Sequence, residues 1–318
     1  RRLAPPSLRA RRPGKLTVEA EVADAQPAPR ARPGAPGHPP PDHGAEGVAM
    51  AVRKRDQRLR AAVREAYDRT GAAWDEGPAV VHDRLADVVV ARSPVPLGGR
   101  LVLDVGSGTG AASLAAAEVG ARVVAVDLSP AMLRANRAPL VGRVAGDAAA
   151  LPLADRSVGG VIAAFSFDHL ADPAAAFAEA ARVCRPGAPV LVAAYAADED
   201  HPVESAVDRA AAEAGWTPPA WYVDLREHAA SQLGSEDGMA AAVSGTGLRG
   251  EVAQITVDLH DLTAKEMIAW RMGMPQLAPY LAATDHRTHE RVRLRAIDLL
   301  GPSPPPLRRS VVVFAGTA

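Results

Sequence analysis

The stretch LVLDVGSGTG (residues 101–110) runs a mostly branched apolar segment into Asp104 and then into Gly106, Gly108 and Gly110. Glycines at that spacing let a backbone turn tightly and approach a ligand with no Cβ in the way. Two more carboxylates close the next apolar runs, Asp127 in ARVVAVD (121–127) and Asp147 in RVAGD (143–147). A carboxylate at a strand end can accept hydrogen bonds from both hydroxyls of a ribose, and the next one along falls within reach of an adenine. His169 follows a fourth apolar run, in FDHLADP. An imidazole there could take a proton from a hydroxyl or an acidic carbon, with Asp168 orienting it, or it could be a satisfied loop histidine.

Spacing narrows what the turn could hold. A nucleoside-triphosphate loop ends in Gly-Lys-Ser/Thr, whereas Gly110-Ala111-Ala112 offers no lysine. A dinucleotide fingerprint is Gly-x-Gly-x-x-Gly, whereas this one is Gly106-x-Gly108-x-Gly110. Three acids at consecutive strand ends would repel a pyrophosphate and suit a phosphate-free nucleoside with a cationic tail. S-adenosylmethionine (SAM) is such a molecule. Taken alone, the glycine motif has a purely structural turn as its alternative, since glycine-rich strand-to-helix turns are common.

These residues need a scaffold, and the periodicity supplies one. LVLDV (101–105), ARVVAVD, RVAGD, GVIAAFSF (160–167) and PVLVAAY (189–195) are short runs rich in Val, Ile and Leu. Helical segments alternate with them. Ser129-Pro130 and Asp172-Pro173 each place an oxygen acceptor at an N-cap and proline at the first helical position. Gly120 and Pro186-Gly187 end the helices before the next strand. Strands apolar throughout, alternating with helices, predict a parallel sheet covered on both faces: a doubly wound α/β core. Later in the chain, EVAQITVDL (251–259) and RRSVVVFAG (308–316) read as two strands added as an antiparallel edge, with helices between them forming a cover.

Taken jointly, VLDVGSGTG, VVAVDLSPAMLRAN and GDAAALPLADRSVGGVIAAFSFDHLADPAAAFAEAARVCRPGAPVLVA resemble a class I SAM-dependent methyltransferase of the type 11, small-molecule and quinone-modifying kind. The match runs from 101 to 195, and AYDRTGAAWD (66–75) is similar to the helix-to-loop segment that precedes the core in that family. The resemblance implies a seven-stranded Rossmann-like sheet whose last strand inserts antiparallel. It implies that Asp104, Gly106, Ser107, Gly108 and Gly110 surround the methionine part of the cofactor. Asp127 matches the ribose acid, Leu128 the apolar residue beside the adenine, and Asp147 with Ala148 the adenine edge. Phe165 falls where backbone lines the methionine moiety. One departure is Val158-Gly159-Gly160, where family members usually carry Phe-Asp, which bears on local rigidity more than on cofactor binding. The implied reaction is methyl transfer to a small-molecule acceptor by in-line displacement. Alternatives are the same scaffold turned to a cyclase or decarboxylase, a non-catalytic SAM-binding regulator, or, last, a nicotinamide oxidoreductase.

Composition agrees with a globular enzyme: 48% hydrophobic and 23% charged residues over 318 positions, with a net charge of −1 that calls for neither nucleic acid nor an anionic surface. No apolar run reaches the roughly 18 residues of a membrane span. One cysteine, Cys184, fits a reducing compartment and, in RVCRPG, a buried thiol, so a cytoplasmic location is expected. Residues 1–49, rich in Arg, Pro and Ala, read as a disordered extension or as sequence ahead of a start at Met50. Residues 50–318 read as the methyltransferase domain, with a SAM-binding core at 96–196 and a cover plus late strands at 197–318. Trp216, Trp221, Tyr222, Trp270, Met272, Met274 and Tyr280 of the cover are candidate acceptor contacts. His286 and His289 lack further ligands nearby, so an exposed helix face is expected there and no metal site.

Overall fold

A run that is apolar at every position can lie only in the interior of a sheet, while one that alternates can serve as an edge. In the computed structural model the five inner strands are largely buried, and the two outermost alternate over all or part of their length. The structure describes residues 43–197 and 201–318. The chain enters through α1 (His43–Thr70), α2 (Ala72–Glu76) and α3 (Pro78–Val90), then alternates β1 (Leu101–Val105), α4 (Ala111–Glu118), β2 (Arg122–Asp127), α5 (Pro130–Ala135) and β3 (Leu140–Ala145). It continues through β4 (Gly160–Ala164), α6 (Pro173–Val183) and β5 (Pro189–Tyr195). The cover comprises α7 (Pro202–Glu213), α8 (Ala220–Asp224), α9 (Ala230–Leu233) and α10 (Glu236–Val243). After it come β6 (Arg249–Leu259), α11 (Ala264–Met272), α12 (Ala278–Ala282), α13 (His286–Leu300) and β7 (Leu307–Thr317). Of the expected disordered extension, residues 1–42 lie outside the described residues, and α1 already begins at His43.

The sheet order is β3-β2-β1-β4-β5-β7-β6, so the order reverses between β1 and β4. β1 pairs in parallel with both β2 and β4, with Leu103 opposite Val124 on one side and Val161 on the other. The last strand is inserted antiparallel between β5 and β6, placing Phe314 opposite Val192 and Val252. The two late strands thus form the expected antiparallel addition to the parallel sheet, with β7 buried along SVVVF on the inside and β6, which alternates toward its C-terminal end, at the edge. β3 alternates as well and closes the opposite edge.

Helices cover both faces. Val102, Leu191 and Val311 point to one core with Leu85 of α3 and Val207 of α7, while Leu103, Val192 and Phe314 point to the other with Phe177 of α6 and Met239 of α10. Both predicted caps form: Ser129 Oγ accepts from Met132 N at 3.1 Å and Asp172 Oδ1 from Ala175 N at 3.3 Å. Two boundaries that differ from the sequence reading bear on the site. β3 runs from Leu140 to Ala145, which leaves Asp147 in the turn beyond the strand, where Ala150 N donates to its carbonyl at 3.1 Å. β4 stops at Ala164 because Phe165 adopts φ +60°, and Phe167–His169 then forms a single 3-10 turn. The departure at Gly159 is held by the sheet itself, its N–H donating to Leu101 O at 2.7 Å.

Candidate active site

Beyond the carboxyl ends of β1, β2 and β4 lies a cleft of about 1090 Å³, its solvent mouth included. This is where the strand order reverses and where open α/β sheets hold ligands. Its floor is the glycine turn. Gly106 has φ +69°, and a Cβ on it would lie 2.2 Å from Ser166 Cβ, so no larger residue fits against the β4 loop. Asp104, Gly106, Ser107, Gly108, Asp127, Leu128, Asp147, Ala148, Phe165 and His169 all line the cleft. Gly110 is not among the lining residues. It caps α4 with φ +100°, and a Cβ there would meet Asn136 Oδ1 at 2.3 Å, so its need for glycine is steric.

Asp104 is 1% exposed, and Ser113 Oγ donates to its Oδ2 at 2.5 Å. Burial pushes its pKa up to about 7, with the Ser113 hydrogen bond opposing the rise. Asp127 accepts from Gly108 N and from Ser129 N, each at 2.8 Å, on its two separate oxygens. Burial raises its pKa too, and those two N–H groups partly offset the rise. Asp147 Oδ1 accepts from Ala149 N at 2.9 Å, while Oδ2 pairs with Arg60. Ser107 Oγ and Thr109 Oγ1, both in the turn, are buried and bonded to nothing. Orphaned buried hydroxyls are costly without a partner, so a ligand in the turn has two donors waiting for it.

The roof comes from helices that sequence reasoning assigned no chemistry. Arg60, Val63, Arg64 and Tyr67 of α1, Trp74 of α2 and His82 of α3 line the cleft. Tyr67 Oη lies 3.0 Å from His169 Nε2, and His169 Nδ1 lies 3.2 Å from Asp168 Oδ1. A neutral His169 satisfying both carries its proton on Nδ1, toward Asp168, and accepts the Tyr67 hydroxyl on Nε2. Burial lowers the His169 pKa, but the Asp168 charge and hydrogen bond outweigh it, so the net shift is upward. Tyr67 is held well above the usual phenol range, first by burial and then by the charges of Asp168 and Asp127.

His82 is a second histidine in the roof, and it is buried. Its Nδ1 bonds Pro78 O at 2.8 Å and its Nε2 faces Tyr195 Oη at 3.0 Å. Burial brings its pKa down to about 4, so it is neutral at pH 7. Rings of Tyr67, Trp74, His82, Phe165 and Tyr195 follow one another at centroid separations of 5.8, 4.7, 5.6 and 4.7 Å, an unbroken aromatic wall. The signal for the roof was in the sequence, since positions 60, 63, 64 and 67 fall on one helical face.

The cover aromatics do not line the cleft. Trp216 Nε1 donates to Gln276 O at 3.2 Å and Tyr280 Oη to Ala214 O at 2.6 Å, while Trp270 and Met272 are buried in the core under the sheet. Packing of the inserted helices consumes these side chains. SGTGLRG (244–250) is the turn before β6 and also lies away from the cleft. His286 and His289 are exposed on α13, and among the described residues no group of three potential ligands could hold a metal ion. Cys184 is buried, and burial pushes its thiol up to about 12.

Known proteins match this part of the chain. Residues 103–192 fit the family model of a methyltransferase domain. A demethylmenaquinone methyltransferase of Clavibacter sepedonicus is 35% identical over 138 residues, covering 42% of this chain and 55% of the relative. Another, from Renibacterium salmoninarum, is 43% identical over 110 residues, covering 34% and 46%. The chain thus spans about half the length of these relatives. A crystal structure from Anabaena variabilis, assigned to a methyltransferase of an antibiotic biosynthesis pathway, superposes with a TM-score of 0.51 at 20% identity, covering 73% of this chain and 96% of the other. At that identity the likeness concerns the fold. The matched segment, residues 103–192, is the one that bears the glycine turn and the three acids, and it is similar to a methyltransferase domain.

Proposed function

We propose that this protein is a SAM-dependent methyltransferase acting on a small-molecule acceptor, with the cleft as its active site. The observation that carries the reading is the row of Asp104, Asp127 and Asp147 at the carboxyl ends of three adjacent strands, lining one cleft with the glycine turn. Each Asp127 oxygen already accepts one backbone N–H, which leaves each a lone pair for a ribose hydroxyl. Ser107 and Thr109 would donate to the amino-acid end, Asp104 would face its cationic groups, and Gly106 and Phe165 would line it. Gly108 and Gly110 would hold the turn open. Leu128 would lie beside the adenine, with Asp147 and Ala148 at its edge.

When bound, SAM supplies a methyl group on a sulfonium, released by in-line displacement. The chain's own contribution is alignment, exclusion of water and handling of the acceptor's proton. Orienting the acceptor can supply up to about 7–11 kcal/mol of the barrier. The aromatic wall keeps that half of the cleft apolar, which suits a ring-bearing acceptor such as the one named for the demethylmenaquinone relatives. The acceptor's proton passes to Tyr67 Oη as the Tyr67 proton moves to His169 Nε2, and Asp168 stabilises the imidazolium through Nδ1. A cyclase or a regulator would share the cofactor site, but a regulator has no use for that hydrogen-bonded chain. The boundaries 50–318, with core 96–196 and cover 197–318, and a cytoplasmic location belong to the same proposal, the latter supported by the buried free thiol of Cys184.

Titration calorimetry separates the cofactor readings. SAM and S-adenosylhomocysteine should bind in the micromolar range while NAD gives no heat. Tritiated-methyl transfer to a panel of phenols, quinones, amines and polyketides then tests catalysis. No heat with either adenosyl compound would sink the reading.

A further inference from the structure

The segment matched by the family model begins at residue 103, well after α1, yet α1 supplies a residue that sits on one of the acids of that segment. Arg60 Nη1 pairs with Asp147 Oδ2, and Arg60 Nη2 pairs with Asp56 Oδ2 one helical turn back at 2.8 Å. Two carboxylates therefore fix the guanidinium in place. Its Nε–H is buried and bonded to nothing, and the residue lines the cleft. Asp147 is fixed in turn by Ala149 N on its other oxygen. The result is a preset acceptor, the Asp147 carboxylate, beside a preset and unsatisfied donor, the Arg60 Nε–H.

We propose that Arg60 reads the adenine base together with Asp147 and so sets the base specificity of the cofactor site. This rests on the reading of Asp147 as the adenine acid. The edge of adenine presents a donor, the 6-amino group, next to an acceptor, N1. Asp147 accepts from the first and Arg60 Nε donates to the second. Hypoxanthine reverses both, with an oxygen at position 6 and a proton on N1. It would set oxygen against carboxylate and N–H against N–H. Unpaired buried polar groups make such mismatches expensive, so discrimination is strong where the donor and acceptor are both immobile.

The test compares S-adenosylhomocysteine with S-inosylhomocysteine, which differ only at that edge. Calorimetry on the wild-type chain should give the adenosyl compound the tighter binding. Arg60→Met keeps the aliphatic stem and removes the donor. It should weaken the adenosyl compound about tenfold and change the inosyl compound little, so that the preference falls about tenfold. Arg60→Lys keeps a charge opposite Asp147 without the Nε–H and should lose the preference likewise. This variant decides the matter if Arg60→Met does not fold. In an Asp147→Asn background, the Arg60→Met effect should shrink, because the two residues act on one edge.

Equal weakening of both compounds, or no change in their ratio, would reduce Arg60 to a helix-docking residue and overturn the proposal. A wild-type chain that binds neither compound would instead remove the cofactor reading beneath it. The two failures are distinct.

Discussion

Asp104 shows what a site residue costs its own fold. A carboxylate at 1% exposure, with a pKa near 7 and one neutral hydroxyl as its partner, is ionised in the folded state at the expense of stability. Its folded pKa of about 7 lies above the unfolded value of about 4, so the empty protein binds the proton more tightly when folded and loses stability as pH rises through that window. Asp104→Asn removes the penalty. The variant's melting midpoint without ligand should exceed wild type by a few degrees at pH 8 and match it near pH 4, read by calorimetry. The same change should weaken S-adenosylhomocysteine at least tenfold, since a cation-facing acid is gone. Loss of affinity without the pH-dependent gain in midpoint would refute the burial argument. The acids themselves were legible because each follows an apolar run. Their depths were not, because burial depends on Ser113 and on the strands either side.

At the scale of elements, the proposed proton path joins α1 to the turn after β4. Tyr67 and His169 come from segments about a hundred residues apart, and neither segment holds the pair without the other. Tyr67→Phe should lower kcat by about tenfold to a hundredfold while leaving SAM affinity within twofold, because general acid–base assistance contributes about 10²–10⁴-fold. A neutral His169 is required to take the proton, so turnover should rise with pH through a midpoint above the ordinary histidine value, in the direction that Asp168 shifts it. His169→Gln should abolish that rise. A kcat limb unmoved in His169→Gln would remove the imidazole from the path. AYDRTGAAWD already pointed to a segment entering the core, and the fold shows why it matters: its face carries Tyr67 and Trp74 into the cleft. The opposite lesson comes from the cover, where Trp216, Trp270 and Tyr280, which looked available, are used for packing.

Across the whole molecule, the cover is tied to the sheet by a buried charge network. Arg271 of α11, 4% exposed, makes a bidentate pair with Asp208 of α7 at 2.9 and 2.6 Å. Glu204 of α7 pairs with Arg309 of β7 at 2.6 Å, and the Arg309 guanidinium lies over the Tyr195 and Trp270 rings at 4.7 and 5.0 Å. Replacing such a network by apolar residues can be neutral, but removing one partner leaves a buried charge behind. Asp208→Ala strands Arg271 with Glu204 at 3.7 Å as its remaining acid and should destabilise the fold by about 3 kcal/mol, measured by urea unfolding. A change below about 1 kcal/mol would mean that water already screens the pair. Among the described residues no helix is long and apolar enough to cross a membrane.

The sequence by itself determined the doubly wound core, the glycine turn and the acids beside it, because each depends on local pattern: apolar period, caps and turn chemistry within a few residues. Only the tertiary structure decided that Phe165 ends β4 in a left-handed conformation and that α1 rather than the cover roofs the cleft. Those outcomes depend on which surfaces meet across the sheet. A face of alternating residues states that it is half-buried without stating against what, and the pairs Arg60–Asp147 and Tyr67–His169 exist only once separate elements have docked.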